Sequence, residues 1–296
     1  MKEKEFINTI KNTLRSEYIG DDCAYLKDLG IVVSQDNLVE DIHFSMKFTD
    51  AYKLGYKSAM VNISDIAASG AEPAYLTVGL SLPSKTDNKF IEDFYNGMKE
   101  ACGNVKIAGG DITGSDKIFI SVSIIGKTKN RKIASRSNAK PGYKIIVSGL
   151  HGSSNAGLRE LFNGNKNKFT EVHLMPKAQT EFSKNISSEI QADYAMMDTS
   201  DGLMDALTQI ADCSNVLMSV NFNKIPYDKD IEKFEDFKDL ILYGGEDYQL
   251  LACVPPDFEI KNAYEIGEVK EGKGVEIDGT LVLNPNDKIY NHFKEQ

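Results

Sequence analysis

The chain has 296 residues, enough for two ordinary domains, and 41% of them are hydrophobic, so a sizeable core is available. Its 44 acidic residues against 34 basic ones give a formal charge of -10, which argues against general nucleic-acid binding, where a basic face is expected. No apolar run approaches the roughly 18 residues of a membrane span, "MKEKEFINTI" lacks a signal-peptide core, and Cys23, Cys102, Cys213 and Cys253 form no CxxC pair, so a reduced cytoplasm fits better than a disulfide framework.

In chain order, "IGDDCAYL" places Asp21 and Asp22 in a turn, and "GIVVSQD" predicts a strand over 30–36 that ends on Asp36. Asp50 is a natural cap for a helix over 51–69, with Gly70 as its stop and Pro73 beyond. A strand over 74–83, a helix over 87–102 and a strand over 117–126 follow. In the last, Ile118, Ile120, Val122 and Ile124 share one face. Asn, Pro and Gly cluster in "NAKPGYK" (138–144), and the pattern resets there, which predicts domains over 1–137 and 138–296. The second half reads as a strand in "KIIVSGL", helices near 155–162 and 176–190, a strand over 194–198, a helix over 201–212, a strand over 248–254 and a β-rich tail. Both halves mix helices with strands, an α+β or α/β class in which each half carries its own core.

The familiar phosphate motifs are absent. "SIIGKTKN" contains Gly-Lys-Thr, but Ser121 stands where a P-loop needs its first glycine. "GLHGSSNAGL" (149–158) reads either as a backbone phosphate cradle or as a plain strand-to-helix connection. The unusual feature is a series of short acidic clusters at element ends: "GDD" (20–22), "SQD" (34–36), "NISD" (62–65), "GGD" (109–111), "DTSDG" (198–202) and "GGED" (244–247). Any one of them is explicable as a turn or cap, such as Asp201 in a helix first turn behind Ser200. Asp65 is harder to explain so, because it falls near the negative end of its helix, where a carboxylate costs about 0.3–1 kcal/mol. A bound cation reverses that penalty. Aspartate oxygens suit Mg²⁺, and the four histidines, His43, His151, His173 and His292, show no zinc spacing. Several Mg²⁺ ions among clustered carboxylates point to phosphoryl transfer, which needs positioning, metals and often one arginine. Arg136, in "ASRSNAKPG", is the candidate arginine.

These clusters, in this order, resemble the thiamine-monophosphate kinases, in the superfamily of aminoimidazole ribonucleotide synthetase, selenophosphate synthetase and a carbamoyl-dehydrating hydrogenase-maturation protein. The matching segments are "IGDDCAYL", "SQDNLVEDIHF", "YKSAMVNISDIAASGAEPAYLTVGLSLP", "AGGDIT", "SRSNAKPG", "MMDTSDGLMDAL" and "GGEDYQLL", nearly the whole chain. The resemblance implies Mg²⁺-dependent, direct in-line transfer of the ATP γ-phosphoryl to thiamine monophosphate. It implies an N-terminal domain that pairs with a second copy into a dimeric β-barrel-like core, and a C-terminal α/β sandwich. It implies metal binding by Asp22, Ser34, Gln35, Asp36, Asp65, Asp111, Asp198 and Asp201, and ATP binding by Gly110, Asp111, Arg136 and Ser200. His43, Glu246 and Tyr290 are then expected to hold the thiamine end.

Two departures from the family pattern stand out. Gln35 replaces the usual threonine between Ser34 and Asp36, and "ACGNVKIAGGD" lacks the aromatic residue expected against adenine. Other readings are a sister enzyme of the superfamily and a Mg-ATP-binding dimer without chemistry. Cys23 follows "GDD" directly, rather than preceding the first acidic motif as in selenophosphate synthetases, and the chain ends "NHFKEQ" without a cysteine tail.

Overall fold

A computed structural model describes residues 2–293. Helix α1 (Lys2–Leu14) precedes β1 (Ala24–Leu26), β2 (Ile31–Val39), α2 (Ala51–Ala68), β3 (Glu72–Leu82), α3 (Asn88–Cys102), β4 (Lys106–Gly114) and β5 (Phe119–Lys127). The five strands form one sheet in the order β1-β2-β5-β3-β4, with only β3 and β4 parallel. This sheet is open, and β4 is an edge strand exposed along nearly its whole length.

Asp50 caps α2 as read, and Asp87, expected inside its helix, caps α3. The Asp50 carboxylate accepts the Lys53 N–H at 2.8 Å and Asp87 accepts that of Phe90 at 2.9 Å, so each satisfies an orphan donor of a helix start. Helices α2 and α3 pack through a reciprocal glycine contact. A Cβ on Gly55 would lie 1.9 Å from the Phe94 carbonyl, and one on Gly97 would lie 1.9 Å from that of Tyr52. Only glycine permits backbones this close. α2 is therefore buried on almost every side, and the polar residues it carries inward, Lys57, Ser58, Asn62 and Ser64, need partners.

The second half contains β6 (Lys144–Val147), α4 (Ser153–Phe162), α5 (Lys168–Leu174), α6 (Thr180–Ser187), β7 (Ala195–Asp198), α7 (Leu203–Ser214), β8 (Leu217–Val220), α8 (Phe237–Tyr243), β9 (Leu250–Val254), β10 (Tyr264–Lys270), β11 (Gly274–Ile277) and β12 (Thr280–Leu281). Its seven strands run β12-β11-β8-β10-β6-β9-β7, antiparallel except for β8 with β11. One face packs on Leu203, Met204, Leu207 and Ile210 of α7. The other face packs Ile146, Met196 and Leu250 with Phe182 and Ile186 of α6 and with Ala67 and Ala68 of α2. The C-terminal end of α2 is thus shared between both cores, and the Ser183 hydroxyl donates to the Ala67 carbonyl at 2.6 Å.

Three of the differences from the sequence expectation bear on the site. β4 was not read as a strand, because Gly109, Gly110 and Gly114 give it poor strand propensity. The helix expected over 176–190 is the shorter α6, and α5, which ends before Pro176 and is opened by a capping box of Asn167 and Thr170, was not read. α7 starts at Leu203 with Gly202 as its N-cap, so Asp201 precedes the helix instead of sitting in its first turn.

Candidate active site

The polar face of α2 lies where β2, the end of β7 and the segment before α7 meet. Asp22, Asp65 and Asp198 come from three separate elements, yet each offers a carboxylate oxygen within 4.8 Å of the others. Each is tied down. The Ser34 hydroxyl donates to Asp65 Oδ2 at 2.6 Å, and that of Ser64 donates to Asp198 Oδ2 at 2.6 Å. The Asp36 N–H donates to the Asn62 side chain at 3.2 Å, and Asn62 in turn donates to the Ser58 carbonyl. Arg136 meets Asp22 at 2.8 Å and Gln209 at 2.6 Å, while its Nε is buried without a partner.

The electrostatics are those of a site short of positive charge. Burial, reinforced by Asp22, pushes Asp198 up to about 7 and Asp36 up to about 6. Asp65 is raised well above the usual range by burial and then by Asp36 and Asp198. Asp22 is also raised, because burial outweighs the lowering by Arg136. Two charges 4 Å apart repel by about 4 kcal/mol at an effective dielectric of 20. Three buried carboxylates at this spacing with one arginine fit a hard divalent cation held by oxygen donors.

A second polar group lies toward the N-terminal half of α2. Lys57 Nζ is 2.8 Å from Glu246 Oε1 and only 4% of Lys57 is exposed. His173 Nδ1 is 3.4 Å from Glu246 Oε2 and 3.0 Å from the Ser154 hydroxyl. Burial opposes charge on Glu246, but Lys57 and then His173 outweigh it, so Glu246 lies below the usual carboxylate range. His43, whose Nδ1 accepts the Val39 N–H at 3.0 Å, feels both Glu246 and Lys57 and is held low by burial first. Its ring is 5.0 Å from that of His292, which is 4.8 Å from Tyr290.

Residues 20–128 match the family model described as "AIR synthase related protein, N-terminal domain". Across the full length, the chain is 34% identical to the thiamine-monophosphate kinase of Aquifex aeolicus (strain VF5), covering 97% of this chain and 96% of that one. The chain belongs to the thiamine-monophosphate kinase family. It is also 33% identical to the thiamine-monophosphate kinase of Bacillus subtilis (strain 168), with 93% of each covered. The fold superposes on "AaThiL complexed with AMPPCP and TMP" with a TM-score of 0.91 at 33% identity, covering 99% of this chain and 98% of that one. A chain of "Crystal structure of HypE-HypF complex", at 22% identity and a TM-score of 0.75 over 91% of this chain and 94% of that one, shares the fold.

The structure brings together most, but not all, of the residues this family's motifs single out. Asp22, Ser34, Asp65 and Asp198 form one group with Arg136, and Asp36 adjoins it electrostatically. Ser200 is beside it, its N–H 3.4 Å from Asp198 Oδ1, and Asp201 follows. The Gln35 side chain points away from the carboxylate group, which leaves its backbone as the part of the residue nearest the other expected ligands. Strand alternation turns it to the face opposite Ser34 and Asp36, where it accepts from Ser123 at 2.9 Å and lies 3.3 Å from Ser121. Gly110 and Asp111 sit on β4, opposite Val78 and Gly79, and three strand spacings, about 14 Å, separate β4 from β2. Within one chain Asp111 therefore stands apart from the carboxylate group.

The stretch 149–158 connects β6 to α4 and includes the first turns of that helix, and it is not an open cradle. The buried Asp247 carboxylate already accepts the Gly152 and Ser154 N–H groups at 2.5 and 2.8 Å. Sequence reading also missed Lys57, Asn62, Ser64 and His173. Three of these lie on α2, and their signal was there: in a helix this apolar, the polar positions 57, 58, 62, 64 and 65 fall on one side.

Proposed function

We propose that the chain transfers the γ-phosphoryl group of ATP to thiamine monophosphate, releasing ADP and thiamine diphosphate. The observation that carries this reading is the buried carboxylate group Asp22, Asp65 and Asp198 beside Arg136, in a chain similar over its length to thiamine-monophosphate kinases. Its solved relative holds AMPPCP, an ATP analogue, together with TMP.

In this reading Asp22, Ser34, Asp36, Asp65, Asp198 and Asp201 hold Mg²⁺, Gln35 adds its backbone carbonyl, and Asp111 holds a further ion at the nucleotide. Bound Mg²⁺ supplies the positive charge that neutralises the polyphosphate and the transferring phosphoryl group. Arg136 contacts the nucleotide through its unpartnered Nε, with Asp22 and Gln209 holding the rest of the guanidinium. Ser200 takes the phosphate end, and Gly110 and Asp111 take the part of the nucleotide away from the carboxylates. The attacking atom is a terminal oxygen of the acceptor phosphate. A new P–O bond forms to it as the bond to the β-phosphate oxygen of ATP breaks, and that electron pair leaves with ADP. A phosphate monoester is largely dianionic near neutral pH, so no side chain has to remove a proton. The task of the protein is alignment and charge compensation. His43, Glu246 and Tyr290 hold the cationic thiamine moiety.

The division into 1–137 and 138–296, and pairing of two copies through the exposed β4 edge into a barrel-like core, belong to the same proposal. So does a reducing cytoplasm, which suits four free cysteines. Among the described residues no helix is long and apolar enough to cross a membrane.

The test is purified protein with ATP, Mg²⁺ and thiamine monophosphate, with products separated chromatographically. Equimolar ADP and thiamine diphosphate are expected. Folded protein that yields neither across a range of Mg²⁺ concentrations refutes the reading. Light scattering of the same sample tests the dimer.

A further inference from the structure

Glu246 is held more firmly than a carboxylate at a site margin needs to be. Its backbone has φ +65°, a left-handed conformation that costs a non-glycine residue about 1 kcal/mol or more. Tyr248, two residues on, has φ +49°. Between them, buried Asp247 is bonded to two amides at the start of α4, and the Glu246 N–H donates to the Ser200 carbonyl at 2.7 Å. The strained turn is therefore anchored on both sides, and its product is one carboxylate at a chosen place.

That carboxylate is gripped from both halves of the chain. Lys57 of α2 takes Oε1 at 2.8 Å, and His173 of α5 approaches Oε2 at 3.4 Å, with Ser154 of α4 behind it. The fold of α2 does not require a lysine here. A buried ion pair is often no more stable than well-packed apolar residues of the same volume. Lys57 is also eight residues from Asp65 on the same helix, about 12 Å along its axis, so it lies away from the carboxylate group that faces the phosphates.

We propose that Lys57 is a positioning residue for the phosphoryl acceptor: acting through Glu246, it sets the affinity for thiamine monophosphate and leaves the nucleotide end untouched. This rests on the assignment of Glu246 to the thiamine end. Lys57 does not contact the reacting atoms. It fixes one oxygen of Glu246 while His173 lies 3.4 Å from the other, and so sets the orientation in which the carboxylate meets the acceptor.

The experiment is a double-mutant cycle with Lys57→Met, Glu246→Gln and the double variant, reading KM for each substrate, kcat and thermal stability. Lys57→Met is expected to raise KM for thiamine monophosphate about tenfold or more, with KM for ATP and kcat within about threefold. Glu246→Gln is expected to do the same, and the double variant to be no worse than the weaker single, because both act through one interaction. Lys57→Gln, which keeps an N–H donor without the charge, serves if the methionine variant does not fold, and the same split is expected. If KM for ATP or kcat moves as much as KM for the acceptor, or if the two single effects multiply, the proposal is overturned. If Glu246→Gln raises the acceptor KM and neither Lys57 variant does, the role of Lys57 falls while that of Glu246 stands. If Glu246→Gln leaves the acceptor KM unchanged, both fall.

Discussion

Asp198→Asn should make the metal-free protein more stable while abolishing turnover. Asp198 is 1% exposed and offers an oxygen within 4.8 Å of oxygens on Asp22 and Asp65. At that distance and an effective dielectric of 20, one like-charge pair costs about 3 kcal/mol. A second route gives a similar size. Burial and Asp22 raise Asp198 from 3.8 to about 7, which corresponds to about 4 kcal/mol. The sign follows from proton linkage. An acid whose folded value is raised binds its proton more tightly when folded, so stability falls as pH rises from about 4 to about 7 and stays lost above. Removing the charge therefore gains most at pH 8 and only about a third as much at pH 5. The Ser64 hydroxyl retains an acceptor in the asparagine oxygen. Thermal unfolding in EDTA at pH 8 should show Asp198→Asn melting roughly 6–12 °C above the wild type. With saturating Mg²⁺ the order should reverse, because only the wild type gains from the ion. An EDTA melting point at or below that of the wild type at pH 8 would refute the argument. So would a gain of the same size at pH 5.

Three further outcomes follow from single positions. His151 is fully buried with neither ring nitrogen in hydrogen-bond geometry, and burial lowers it from 6.5 to about 4. A group held neutral in the fold but protonated when unfolded costs stability as pH falls from 6.5 to 4, about 3 kcal/mol in full, so His151→Leu should flatten the acid limb of a urea-stability profile over that range. Gly110→Ala places a Cβ 1.9 Å from the Val78 carbonyl, so β4 must shift from β3. A loss of about 1–3 kcal/mol by urea denaturation is expected, and a wild-type midpoint would contradict that geometry. Arg136→Gln removes the ion pair of buried Asp22 and the free Nε, so KM for ATP should rise at least about tenfold with KM for thiamine monophosphate less affected, which steady-state kinetics will check.

What the sequence made legible was what depends on local chemistry. Asp50 caps its helix where its side chain predicts, since a cap needs only an oxygen and the next turn of amides. The strand over 117–126 appears as β5, with Ile120, Val122 and Ile124 buried on alternate positions. β4 escaped because its three glycines remove the local signal, and it exists through its ladder with β3.

The site divides along the same line. Asp22, Asp65 and Asp198 stood out because carboxylates at element ends are visible in one dimension, and Asp65 carried its own anomaly against the helix dipole. Lys57 was silent, because a lysine in a helix is ordinarily solvated, and only the packing of α3, α5 and the second sheet around α2 makes it buried. Gln35 shows what a motif leaves open. Its neighbours Ser34 and Asp36 belong to the site and the family motif includes it, but a strand turns every second side chain away, so only its backbone lies on their side. The pattern that mattered was therefore the period of the element and not the continuity of the motif. On β2 that period selects 34 and 36; on α2 it selects 57, 58, 62, 64 and 65. The two faces meet at the Ser34–Asp65 and Asp36–Asn62 bonds, and that meeting aligns the carboxylate group with the Lys57–Glu246 pair along one helix.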